Sequence, residues 1–378
     1  MRENKGKVSL ILLIIVVLLM GFIAYEVIIV DIFGILHNAD PVINIGGITN
    51  NIKTVIEFAK EENEENVEIV EPIINNNMAS SENMSTSSYY YNQLDNYGKV
   101  IYNGFKDNIE KMKSGTYAID FGTQFNNLLN SEGGEEKLNI AFQSAWNAFT
   151  YDNMDIFYID VESLTLITKT TTVGSKSTHS VELSNGDNTD YLKSGFNSNV
   201  IKSRINVLEA MREEIKRQVE KYDDFEKVRQ VHNWLINNVE YDKNLSADEP
   251  YSIIGAMIEG EAVCEGYARS FKYIMDEIGI PCVLVSGTGT NSNGETESHA
   301  WNYVKLDEKW YAIDVTWDDP IIVGNGYVRD EIRYENFLRG SNKFFKSHEE
   351  DGYLSSNSMK FEFPNIEKED CPGVEYYG

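Results

Sequence analysis

The sequence predicts an α+β protein, and three observations carry that expectation. Residues 265–278 place apolar or aromatic side chains at Tyr267, Phe271, Ile274, Met275 and Ile278, the spacing of a helix with one buried stripe. Residues 299–306 and 310–317 are rich in aromatic and β-branched types around Asp307-Glu308, which reads as a hairpin with a two-residue turn. Upstream, residues 89–197 mix helical and strand patterns, the signature of a small α+β domain.

Taken in order, the chain opens with a basic tail over 1–7, carrying Arg2, Lys5 and Lys7. An apolar run of eighteen residues follows, broken only by Ser9. It is long enough to cross a bilayer, and no small-x-small cleavage pattern closes it. The expectation is a single transmembrane signal-anchor helix over 8–30, with the lipid bilayer as its partner, the amino terminus cytoplasmic and the later domains extracellular at the cell membrane. Residues 31–88 read as an extracellular stalk, partly disordered, with a brief helix near 55–60; over 75–88 the apolar mass is too small to fold.

The accessory domain over 89–197 begins with a helix through Leu94, Tyr97, Ile101, Phe105, Ile109 and Met112. A second helix is expected over 138–149 and strands over 156–159 and 161–167, while the Ser/Thr-rich interval 168–180 reads either as a loop or as a strand-edge excursion. Nothing there has metal spacing, a phosphate loop or a nucleophile, so support or partner recognition is its expected role. A charged helix follows over 200–220, then a better-patterned one over 225–239 capped from 222–224. His232 falls on its flank, belongs to no local cluster and reads as structural. Residues 252–259 make a short helix or turn before Cys264.

Cys264 sits where the helix over 265–278 begins, beside unpaired backbone N–H groups that favour an anion, and the thiolate is the reactive form of cysteine. Gly279 ends that helix and Pro281 prevents its resumption. Residues 281–285 read as a short buried strand, and 286–298 as a flexible loop bordering a cleft. If Asp307-Glu308 is the turn, Leu306 pairs with Lys309, Trp301 stands opposite Asp314 and His299 opposite Thr316. His299 and Asp314 are then diagonal neighbours on one face, and a one-residue slip would separate them. A thiol, an imidazole and a carboxylate are the three types that nucleophilic attack on a carbonyl needs: one attacks, one carries the proton, one fixes the imidazole. Each alone has an ordinary structural reading, as a buried cysteine, a half-buried histidine or a turn-capping aspartate. Zinc fits less well, since these are three ligands without a CxxC pair. Beyond Pro320 a strand is expected over 321–323, and 349–378 reads as an extension returning along an edge, broken by Pro364 and Pro372.

The composition narrows the partners. Among 378 residues, 60 are acidic and 33 basic, a formal charge of -27 that argues against nucleic acid. Three cysteines leave at least one unpaired, and pairing of Cys282 with Cys371 stays open. No EF-hand pattern is present, and no cofactor is expected.

VCEGYARSF at 263–271, SHAWNYV at 298–304 and WYAIDVTWDDP at 310–320 closely resemble the transglutaminase-like superfamily of papain-like thiol enzymes, in its extracellular, membrane-anchored bacterial branch. The resemblance is strong over 222–320 and weaker to His348, where YENFL precedes a distant histidine. It implies a papain-like/transglutaminase-like core over 198–348, with the nucleophile helix packed on an antiparallel sheet. It makes Cys264 the nucleophile, His299 the base and Asp314 the orienter. The Cys264 N–H is the natural first oxyanion donor; a side chain near Ile254 often assists in this family, and here Tyr251 is the candidate. The implied function is acyl transfer or hydrolysis at protein or peptide amides through a thioester, without a cofactor. The alternatives are an inactive membrane-tethered envelope scaffold, or a cysteine peptidase acting on cell-wall or surface peptides. The sequence does not set the oligomeric state.

Overall fold

A computed structural model describes residues 88–319 and 333–376, together with the backbone of 52–57. Strand β1 (Ile52–Glu57) stands where the sequence predicts a brief helix near 55–60, and it pairs in parallel with β3 (Thr165–Val173). The rest of the stalk, the strand expected over 321–323 and the apolar run at 8–30 lie outside the described residues. The membrane expectations require correction: among the described residues no helix is long and apolar enough to cross a membrane. The transmembrane helix, the lipid partner and the sidedness derived from them are therefore withdrawn.

The upstream half packs α1 (Asn96–Met112) against α2 (Gly134–Asp152) and a four-stranded sheet of order β1-β3-β4-β2. Strand β2 is Ile119–Gly122 and β4 is Lys176–Ser184. Asp95 caps α1 by accepting from the Gly98 N–H at 2.7 Å. The predicted apolar row is buried at Leu94, Ile101, Phe105 and Met112. The Ser/Thr-rich interval proves to be a strand pair, β3 against β4, turning at Gly174 with φ 61°. β-Branched threonines suit a pleated surface half exposed to water. Two expected strands are corrected: Ile159 makes only an isolated bridge to Leu192, and the strand expected over 161–167 begins at Thr165 as β3, after a 3-10 turn at Val161–Ser163 closed by the Asp160 side chain.

In the second half, α3 (Ser198–Val219), α4 (Asp224–Asn238) and α5 (Cys264–Ile278) lie together, the two-residue strands β5 (Glu240–Tyr241) and β6 (Glu261–Ala262) pair in parallel, and α5 packs on an antiparallel sheet of order β10-β7-β8-β9. Its members are β7 (Cys282–Thr290), β8 (Thr296–Leu306), β9 (Lys309–Ile313) and β10 (His348–Glu350). This is the expected α+β core. The β8–β9 register pairs Leu306 with Lys309, as the sequence predicts, and Asp307 and Glu308 take φ of 47° and 63°. Positive φ at both central residues matches the twist of a tight hairpin.

Two expectations about this sheet change. The interval 286–298 is no loop: β7 and β8 pair continuously from Cys282↔Val304 to Thr290↔Thr296, leaving a short turn. Its glycines answer to close approach, because a Cβ on Gly287 would lie 2.0 Å from the Glu349 carbonyl oxygen of the neighbouring strand. Strand β9 ends at Ile313 rather than 317, so Asp314 begins a buried turn.

The two halves share one core, with residues 47–378 forming a single compact unit. Tyr90 donates its hydroxyl to the Leu284 carbonyl, Arg269 donates to the Thr150 carbonyl at 2.8 Å, and the Met359 N–H donates to Ser144 at 2.8 Å.

Candidate active site

Cys264 is the first residue of α5, half-buried, and Val263 before it holds an extended backbone. As a first-turn residue it has a backbone N–H without an intrahelical partner. The helix forms because the stripe Tyr267, Phe271, Ile274 and Met275 is buried, and Gly279 closes it at φ 78°.

His299 stands on β8 as its fourth residue. Its Nε2 donates to Asp314 Oδ2 at 2.7 Å, and both side chains are buried. The expected register thus brings this pair together. With Nε2 committed, Nδ1 is the ring nitrogen left for a thiol. Burial pushes the imidazole toward its neutral form, but the Asp314 charge and hydrogen bond, helped by Cys264, prevail and raise it to about 10.

Asp314 is fully buried. Burial alone would raise its carboxyl, yet His299 and then His348 hold it well below the usual carboxylate range. Its Oδ2 accepts from His299 and from His348 Nε2 at 3.1 Å, and its Oδ1 accepts from the Trp317 N–H at 3.1 Å. Trp317 stacks over His299 with ring centres 4.9 Å apart, and this needs Gly289 beneath: a Cβ there would lie 2.8 Å from the indole and 3.3 Å from the imidazole.

At Tyr251 burial raises the phenol, and the Cys264 charge is the next cause. Tyr241 is pushed up to about 12 by burial and then by Cys264.

Two buried histidines make contacts that the sequence reading did not give. His348 binds the Asp314 carboxylate from a position 34 residues downstream. His232, read as structural without a cluster, is fully buried on α4 and bonded through Nε2 to Asp318 Oδ2 at 3.0 Å. Burial raises Asp318 to about 6, partly offset by His232. The advance signal for His348 was the YENFL stretch before it, and for His232 the neighbouring Trp234.

His299, Asp314 and His348 form a compact His/Asp/His group that could supply three metal ligands. The separations of 2.7 and 3.1 Å to one oxygen are those of hydrogen bonds. Ligands around zinc at ~2.0–2.1 Å would stand farther apart than that. The group is therefore a hydrogen-bonded relay as it stands. Cys282 and Cys371 are both free, so no disulfide joins them.

The profile of the transglutaminase-like superfamily matches residues 213–315. The Kyphoscoliosis peptidase of Mus musculus is 32% identical over 117 residues, which is 27% of this chain and 17% of that protein. The Kyphoscoliosis peptidase of Homo sapiens is 31% identical over 117 residues, with the same shares of 27% and 17%. The chain thus spans 17% of the length of the curated relatives it matches. A TGase of known crystal structure aligns at a TM-score of 0.26 and 16% identity, over 45% of this chain and 48% of that one. The resemblance holds at the level of the superfamily.

Proposed function

We propose that this chain is a thiol-dependent enzyme acting on protein or peptide amides, and that its main reaction is hydrolysis of the peptidase type. The observation that carries this proposal is His299, which donates to Asp314 at 2.7 Å through Nε2, leaving Nδ1 for a thiol, with Cys264 among the groups that raise the imidazole. The peptidase names of two curated relatives favour hydrolysis over transfer.

In this scheme the Cys264 sulfur attacks the amide carbonyl carbon, and the oxygen takes up the electron pair. The first N–H of α5 points to that oxyanion, with Tyr251 as the side-chain donor. Collapse expels the amine, which takes the His299 Nδ1 proton, and a thioester remains on Cys264. Water then adds, giving its proton to His299, and the C–S bond breaks to release the acid. A primary amine in place of water would give an amide cross-link by the same steps.

Mass spectrometry of a trapped thioester tests the scheme: the adduct should form on Cys264 and vanish in Cys264→Ala and His299→Ala, with the fold retained. New amino termini identify hydrolysis; isopeptide bonds or released ammonia identify transfer. A second reading, a binding module without turnover, draws support from the burial of His299 beneath Trp317. A folded protein inert toward peptides and amines would favour it.

A further inference from the structure

His348 has no role in the scheme above, yet it is 3% exposed and turned toward the orienting carboxylate. It opens β10 and pairs with Gly289 of β7, the glycine over which Trp317 and His299 pack. Its Nε2 lies 3.1 Å from Asp314 Oδ2, the oxygen that His299 also holds. An ionised carboxylate only accepts, so both Nε2 atoms carry their protons. On the other side, Nδ1 lies 3.0 Å from Ser347 Oγ and 3.3 Å from the Phe344 carbonyl oxygen, so the ring is held at both nitrogens with its Nε2–H toward Asp314.

The ring is also clamped. It stacks on Phe344 with centres 3.9 Å apart and an interplanar angle of 12°, and Trp317 lies 4.5 Å away. A donor held this way points at Asp314 whatever the state of His299.

We propose that His348 is a positioning residue of the thiol site, whose fixed Nε2–H keeps Asp314 ionised and aimed at His299 after His299 has given up its Nδ1 proton. The need is electrostatic. While His299 is charged, the buried carboxylate faces its cation; once that proton leaves with the amine, the carboxylate depends on the hydrogen bonds it accepts. His299 alone supplies one such bond to Oδ2, and His348 doubles it without entering the proton transfer. The inference rests on the Cys264–His299–Asp314 chemistry proposed above, but its test needs no substrate.

Iodoacetamide alkylation of Cys264 is followed from about pH 4 to 9, the range covering ordinary Asp, His and Cys titrations. The Cys264 peptide is quantified by mass spectrometry, so that Cys282 and Cys371 do not contribute. Two variants separate donor from ring: H348Q keeps an N–H donor near the Nε2 position, and H348F keeps an aromatic ring without it. H348M, also without a donor, replaces H348F if its melting curve shows that it does not fold. The alkylation rate should fall about tenfold across the neutral range in the donor-less variant, because His299 is no longer held in place, and stay close to wild type in H348Q. A donor-less variant matching wild type, or H348Q falling as far, overturns the role of His348 alone. A wild-type protein whose Cys264 alkylates like an ordinary thiol overturns both this role and the acyl-transfer scheme.

Discussion

Asp314 ties the chemistry of this chain to its stability, because its two oxygens accept three hydrogen bonds in a fully buried position. A carboxyl held below its usual value stabilises the fold above its unfolded value of ~3.9, and that contribution disappears as pH falls through the folded value. His299 is the other side of the same interaction. Raised to about 10, it contributes fully below its unfolded value of ~6.5 and less as pH climbs through the folded one. The loss of thermal stability in Asp314→Asn should therefore be greatest between about pH 4 and 6.5 and shrink on either side. Melting curves of both proteins across pH check this, and a difference that instead grows toward alkaline pH would refute the ion pair. In an assay of peptide cleavage the same variant should lose about 10³–10⁴-fold in kcat, since an amide partner imposes the wrong tautomer.

At the scale of the element, two glycines that look alike in sequence differ in what surrounds them. Gly289 lies in β7 under Trp317 and His299, while Gly294 sits in the β7–β8 turn at φ 82° with open space around it. Gly289→Ala should push the indole off the imidazole, costing about 1–3 kcal/mol through overpacking and lowering turnover at least tenfold. Gly294→Ala should cost about 1 kcal/mol for the left-handed backbone and leave turnover unchanged. Chemical denaturation with an activity assay separates them, and equal effects at the two positions would show that the Trp317 packing does not govern His299. The same glycines explain why 286–298 reads as a loop in sequence: glycine signals freedom and close approach with one letter.

For the whole molecule, Arg269 joins the upstream half to α5. Its guanidinium binds Glu265, donates to the Thr150 carbonyl and lies 4.9 Å from the centre of the Tyr151 ring. Its side chain is 12% exposed, so removing it strands partners that water reaches poorly. Arg269→Ala should cost about 2–4 kcal/mol while the melt stays a single transition. We propose on the same ground that 198–348 does not fold as a unit of its own; a fragment of those residues with a cooperative melt would disprove it.

Periodicity and turn chemistry, both local, determined much of this protein in advance. The stripe of α5 fixed where Cys264 falls, and the two-residue turn at Asp307-Glu308 fixed the register that puts His299 and Asp314 on one face. Each depends on residues within a few positions of one another. The contacts of His348 and His232 depend on residues 34 and 86 positions away, which no periodicity encodes. Likewise the β7–β8 ladder, the bridge at Ile159 and the union of the two halves were decided by which surfaces met on folding. Packing between distant segments overrides local preference wherever burial is at stake, and there only the tertiary structure speaks.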